Sequence, residues 1–391
     1  MKKAYKYDTR IDNLFNEYVN TKDATFISDW DVNYDLIDYD INLIKKFSSN
    51  VANDNNIFKY FFWTDDFKIK KLFCSYVETF YNEIIQKENF TISSNGTSSL
   101  FLSLIALRKK INNVCVISPN YFTTINVLFD LNFNVYNEEI IYHNTYKLSK
   151  SFRKEIIMND IELILVTNPL FGTGYEIFNL FDNETIDLIN NKNITILCDN
   201  MYGGMNWNKK NDVFDISSFQ NIKKFKKYIF LDSPSKRLFL NGAKFCTLIS
   251  NNTELICNIE SLSINYIGSM SALQISSYQE IYNPKNHNAI INNISKNIST
   301  AKTNYRLICN FFNKTKLSVL FCESGYFCLL SLPKNNLSDN DISILLLNNY
   351  NILTIPHSRY LLNDTEYYYF RVNLLIDISK TIYDLSILLK K

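Results

Sequence analysis

Short apolar runs recur through the middle of the chain, at Val114–Ile117, Ile161–Val166, Ile194–Leu197, Tyr228–Leu231 and Phe245–Ile249. Each is too short for a buried helix and stops at a polar or Gly/Pro cluster, the pattern of a strand covered on both faces. The stretches Leu100–Lys110, Thr123–Leu131 and Ile177–Asn191 read as helices. Strands and helices in alternation predict an α/β domain with a mostly parallel sheet between helices. Ligands of such sheets collect at the carboxyl ends of the strands.

Further along, the pattern changes. Ser277–Phe312 is helix-prone and polar on one side, with Pro284 interrupting its beginning. Leu317–Leu332 and Asn351–Leu375 have strand character around helical stretches, which predicts a smaller α+β domain. The first 55 residues carry acidic and aromatic positions without strong periodicity. The expected organisation is an N-terminal arm, or part of the small domain, at 1–55, a large ligand-binding domain at 56–285 and a small C-terminal domain at 286–391.

Composition narrows the function classes. Lys+Arg 41 against Asp+Glu 39 leaves a net charge of +2, so nothing draws the chain to nucleic acid or an anionic membrane. Eight scattered cysteines without a CxxC pair fit reduced thiols and a cytoplasmic setting. The three histidines have no metal-ligand spacing to a cysteine, which argues against zinc and against a Ser-His-Asp hydrolase. The segment MKKAYKYDTRIDNLFNEY lacks the apolar core of a signal peptide, and no apolar run reaches the roughly 18 residues of a membrane span. Only 8 glycines and 6 prolines are present, where ordinary usage gives about 27 glycines. Those that remain mark places where the backbone needs them.

The predicted strand ends carry the chemistry. After Leu197 comes Cys198-Asp199-Asn200-Met201-Tyr202-Gly203-Gly204. A carboxylate there is costly unless it meets a cation. After Leu231 comes Asp232-Ser233-Pro234-Ser235-Lys236, then Gly242 and Lys244. Two hydroxyls, two ammonium groups and a glycine make a phosphate cradle with one lysine left over as a nucleophile. Other strand ends give Thr167-Asn168-Pro169-Leu170-Phe171-Gly172-Thr173-Gly174 and Ser118-Pro119-Asn120-Tyr121. Ser94-Asn95-Gly96-Thr97-Ser98 opens the Leu100–Lys110 helix, where free N–H groups and the helix dipole suit an anion.

In this order and spacing, from about residue 60 to 375, the chain resembles the aminotransferase class I/II family of fold type I pyridoxal-phosphate enzymes. The resemblance implies pyridoxal 5'-phosphate as cofactor and a large cofactor-binding domain beside a small one. It implies that Asp199 and Tyr202 bind the pyridine nitrogen and the phenolic oxygen. Ser233-Pro-Ser235-Lys236 is similar to the family's Ser-x-Ser-Lys, with Lys236 as the Schiff-base lysine. Gly242-Ala-Lys244 stands at the family's Gly-x-Arg, whose arginine binds phosphate. Gly96, Thr97 and Ser98 resemble the phosphate loop, and Tyr121 the aromatic that stacks on the ring. Tyr60 resembles the tyrosine that reaches the cofactor phosphate of the partner subunit, and Arg371 in Phe370-Arg371-Val372-Asn373 the arginine that grips the substrate α-carboxylate. His357 and Arg359 lie in a stretch similar to a substrate-facing loop.

Two positions depart from the family pattern. Asn168 matches the first asparagine of Asn-Pro-x-Asn-Pro-Thr-Gly, whereas Phe171 occupies the second, which supports the phenolic oxygen. Either Tyr202 alone holds that oxygen or another group substitutes. Lys244 keeps the charge of an arginine and loses its bidentate fork. The expectation is a homodimeric aminotransferase acting on an amino acid and a keto acid, with Lys236 as the base for the Cα proton. A lyase, cyclase or oxidase with the same cofactor, motivated by Phe171, is the alternative; a non-catalytic relative of the fold is a third.

Overall fold

The computed structural model describes residues 1–3, 14–15, 18, 20–21, 24–32, 49, 67–142, 145–207, 217–386 and 389. The predicted runs form strands with bounds shifted by a residue or two: β2 (Asn113–Ser118), β4 (Leu163–Thr167), β5 (Thr195–Asp199), β6 (Tyr228–Asp232) and β7 (Cys246–Ser250). Two further strands, β1 (Phe90–Ser93) and β3 (Asn134–Glu139), had no apolar run to announce them. With the two-residue strand Lys2–Lys3 at one edge, the sheet runs Lys2–Lys3, β3, β2, β4, β5, β6, β7, β1. Neighbours from β3 to β6 are parallel, and β7 is antiparallel to both β6 and β1.

Both faces of this sheet are covered. Cys115, Ile117, Ile164, Val166, Ile196 and Phe230 belong to one apolar cluster, and Val114, Val116, Leu163, Leu165, Leu197 and Leu231 to another. Successive strand residues point to opposite faces, so uninterrupted apolar runs are what a doubly covered sheet requires.

The helix expected at Leu100–Lys110 starts earlier, at Gly96–Arg108, because the Asn95 side chain accepts from Ser98 N at 2.8 Å and caps it. Ile177–Asn191 divides into a 3₁₀ turn, Ile177–Leu180, and a helix, Asn183–Asn191, capped by Asp182. The helix-prone segment around Pro284 is two helices, Ala272–Ile281 and His287–Phe312, on either side of a short turn.

A second, antiparallel sheet is built from Ser318–Val319, β8 (Phe327–Pro333) and β9 (Tyr367–Asn373), with Leu329 opposite Arg371. Thr25–Phe26 pairs with Ile352–Leu353 in parallel, joining the early segment to the C-terminal part. No helix among the described residues is long and apolar enough to cross a membrane.

Candidate active site

The carboxyl ends of β2, β4, β5 and β6 and the start of the Gly96–Arg108 helix converge on a cavity of about 610 Å³. Of the residues singled out in the sequence, Gly96, Thr97, Tyr121, Asp199, Tyr202, Ser235, Lys236 and Lys244 line it. Three lining residues, Ser324, Gly325 and Tyr326, come from the loop before β8.

Lys236 sits on a single helical turn, Pro234–Arg237, directly after β6. The Ser233 hydroxyl caps that turn, accepting from Ser235 N at 3.1 Å and donating to the Phe245 carbonyl at 2.5 Å. Burial pulls the Lys236 pKa below the ordinary lysine range, opposed by Tyr121, Asp31 and Asp199 and aided by the Arg371 charge. A deprotonated amine is the nucleophilic form. The Lys236 ammonium lies 5.6 Å from the centre of the Tyr202 ring.

Asp199 ends β5 and faces the cavity. It accepts from Met201 N at 3.1 Å and forms no ion pair among the described residues. Burial pushes its pKa up to about 6, held from rising further by that N–H and by Lys236. Tyr202 packs edge-on to Tyr326 and Phe327 at 5.3 and 5.6 Å, and burial raises its phenol to about 12. It is therefore a hydrogen-bond donor at neutral pH. At the other end, the Gly96 and Thr97 N–H groups open a helix, where no intrahelical carbonyl reaches them.

Arg371 lies behind the cavity wall and is fully buried. Its guanidinium carbon is 4.4 Å from the Phe327 ring centre, 4.9 Å from Trp30 and 5.1 Å from Phe171. Nε donates to Ser28 Oγ at 3.0 Å and Nη2 to the Ser28 carbonyl at 2.5 Å, whereas Nη1 is buried without a partner among the described residues.

Other predicted residues stand elsewhere. Ser98 and Ser233 do not line the cavity; the Ser98 hydroxyl accepts from Ser94 at 3.3 Å. Asn168 turns away from it, donating to Glu176 Oε2 at 2.9 Å and Asn200 Oδ1 at 3.0 Å, and accepting from Ile177 N at 3.1 Å. His357 is buried with Nδ1 on the Leu362 carbonyl, and neither it nor Arg359 lines the cavity. Tyr60 lies outside the described residues.

Sequence reasoning passed over Trp30, which lines the cavity beside Asp31, and Ser28. Asn241, also in the lining, ties this segment down by donating to the Trp30 carbonyl and Asp31 Oδ1 at 3.3 and 3.2 Å. The only signal was the acidic Asp29-Trp30-Asp31 triplet, which reads as solvated surface or, less favoured, as a partner for a basic side chain. Phe171 lines the cavity where the family's second asparagine stands, so no side-chain amide is present at that position.

A lysine, an aspartate and a tyrosine at neighbouring strand ends face a helix N-terminus across one cavity, in an α/β fold that matches the fold type I aminotransferases. The chain belongs to the aminotransferase class I and II family, which matches residues 37–379. That family uses pyridoxal 5'-phosphate. The fold is similar to that of an aspartate aminotransferase from Thermotoga maritima, at TM-score 0.79 and 13% identity over 99% of this chain and 98% of that one. It is similar to Bna3p, a putative kynurenine aminotransferase from Saccharomyces cerevisiae, at TM-score 0.79 and 15% identity over 99% and 96%. YbdL from Escherichia coli, with a methionine aminotransferase function, follows at TM-score 0.78 and 14% identity over 98% and 97%. No curated protein sequence matches the chain.

Proposed function

We propose that the protein is a pyridoxal-phosphate-dependent aminotransferase that moves an amino group from an amino acid to a keto acid, with Lys236 holding the cofactor. One observation carries this reading: a single cavity brings together an amine of lowered pKa, Lys236, a carboxylate without an ion pair among the described residues, Asp199, and the free Gly96–Thr97 N–H groups, with Arg371 Nη1 buried behind its wall. The residues present fit the cofactor's charges. Asp199 meets a protonated pyridine nitrogen, Tyr202 donates to the phenolic oxygen, and Tyr121 flanks the ring. Gly96, Thr97, Ser235 and Lys244 take the phosphate.

When bound, the cofactor supplies the electron sink for a carbanion at the substrate Cα. Arg371 takes the α-carboxylate and orients the Cα–H bond. Lys236 would take the Cα proton and later return one. Aromatic walls from Trp30, Tyr121, Phe171 and Phe327 exclude water from the reacting atoms.

The reading includes a cytoplasmic homodimer. Cysteines 74, 115, 198, 246, 257, 309, 322 and 328 are all unpaired. Ile264, Tyr266 and Leu273 are exposed apolar side chains, and Gln274, next to Leu273, donates to the Ser94 and Lys244 carbonyls at 2.7 and 2.8 Å.

Borohydride reduction of the purified protein with cofactor is expected to fix the cofactor on Lys236, and Lys236→Ala is expected to bind it without turnover. Wild-type turnover by that variant overturns the assignment. Phe171 favours one second reading, a lyase, cyclase or oxidase. A donor screen scored for keto acid and for ammonia separates them, since transamination consumes a keto acid and releases no ammonia.

A further inference from the structure

Beneath the cavity floor, polar side chains join the ends of three adjacent strands. Asp232, the last residue of β6, is fully buried and paired with the equally buried Arg237: Nη1 donates to Oδ1 at 2.8 Å and Nη2 to Oδ2 at 2.9 Å. Tyr81 Oη donates to Oδ2 at 2.6 Å and Asn200 Nδ2 to Oδ1 at 3.0 Å. Asn200, just after β5, accepts in turn from Asn168, just after β4. Arg237 Nη1 also donates to the Gly203 carbonyl at 2.9 Å.

This arrangement is costly as a means of stability alone. A buried ion pair contributes no more than apolar residues of similar volume. It is also specific, because Arg237 is the neighbour of Lys236 and Gly203 the neighbour of Tyr202. One guanidinium therefore holds the turn that carries Lys236 against the loop that carries Asp199 and Tyr202. A single helical turn has too few internal bonds to hold its own orientation. Gly203 completes the fit: a Cβ there would lie 2.1 Å from Asn200 Oδ1, so a larger residue would drive Asn200 out of the row.

We propose that Arg237, clamped by Asp232, is a positioning residue that sets where the Lys236 amine stands relative to Asp199 and Tyr202. The proposal rests on the reading of Lys236 as the reacting group.

The test uses the full-length protein without cofactor and the double variant Asp232→Leu/Arg237→Met, which removes both buried charges together. The probe is the rate at which acetic anhydride modifies Lys236, followed by mass spectrometry as a function of pH. The double variant removes one charge of each sign and leaves the net charge beside Lys236 unchanged, so a change in its midpoint reports chiefly displacement. The expected result is a folded double variant whose Lys236 midpoint rises by about 0.5 unit or more toward that of an exposed lysine. A folded double variant with the wild-type midpoint overturns the proposal. If the double variant does not fold, Gly203→Ala serves in its place, with the same two outcomes. In the cofactor-loaded enzyme, kcat for a reactive amino donor is expected to fall about tenfold with KM little changed. Failure of wild-type protein to capture cofactor at Lys236 would refute the aminotransferase reading and leave the acylation result to judge the positioning role.

Discussion

Arg371 reaches from β9 to Ser28, with Nε 3.0 Å from the hydroxyl and Nη2 2.5 Å from the carbonyl oxygen. One buried guanidinium thus holds the early segment against the cavity that Trp30 lines. Asn373 reinforces the contact, donating Nδ2 to the carbonyls of Asp29 and Asp31 at 3.1 and 2.8 Å. The remaining nitrogen, Nη1, has no acceptor among the described residues, and a buried donor on a charged group is expensive until it finds one.

Under the proposed reading an incoming carboxylate would supply that acceptor, so Arg371→Met is expected to lower kcat/KM for the amino donor. A charged hydrogen bond contributes about 1.5–3 kcal/mol, which corresponds to a loss of roughly 10- to 100-fold. Arg371→Lys recovers part of it, keeping charge without the fork. Steady-state kinetics on both variants decide; an unchanged kcat/KM in Arg371→Met removes the residue from substrate binding.

Asp199 predicts a pH dependence of stability in the cofactor-free protein. Its folded pKa of about 6 lies above the ordinary 3.8. The folded state therefore keeps a proton that the unfolded chain releases, and stability falls as pH rises through that window. The loss is on the order of 1–3 kcal/mol, fully developed above about pH 6. Asp199→Asn is expected to match wild type in urea unfolding near pH 4 and to exceed it at pH 7. Equal midpoints at both pH values would contradict a raised carboxyl.

Gly172 has φ +73°, and a Cβ there would lie 2.8 Å from Arg371 Cδ. Gly172→Ala adds left-handed strain and pushes the guanidinium aside. The expected cost is about 1–3 kcal/mol of stability together with a raised donor KM. Thermal unfolding and kinetics on one preparation test both, and a variant with wild-type KM would show that Arg371 can shift without consequence.

Phe171→Asn restores an amide donor at the position where the family carries one. A donor to the phenolic oxygen favours its anionic form and weakens its hold on a neighbouring proton. The pH midpoint of the visible absorbance of cofactor-loaded enzyme is expected to fall. The ring packs 5.7 Å from Tyr121 and 5.2 Å from Tyr360, so losing it costs about 2–4 kcal/mol. A midpoint that stays in place would mean that the new amide does not reach the oxygen.

Sequence legibility followed burial. The five apolar runs were readable because a strand covered on both faces has no room for polar residues. β3 was not, because its Asn137 and Glu138 are buried with distant partners: Asn137 donates to the Leu361 carbonyl at 2.9 Å, and Glu138 accepts from Ser149 N at 2.6 Å. Asp199, Tyr202, Ser235 and Lys236 could be singled out because each stands at a strand end or a short, fixed spacing beyond it. Arg237 was not, since a basic residue in a polar loop looks solvated until its buried carboxylate is seen.

The sequence by itself determined the parallel-sheet architecture, the order of the strand-end clusters and the lysine that stands out among them. These follow from apolar periodicity and short spacing, which act locally along the chain. Tertiary structure alone decided which polar groups face the cavity and which pair with one another. It turned Asn168 toward Asn200, bound Arg237 to Asp232 and brought Ser28 to Arg371, a residue 343 positions away. Hydrogen-bond partners are chosen by distance and burial in the folded chain, and those are set by packing between elements that the linear pattern leaves far apart.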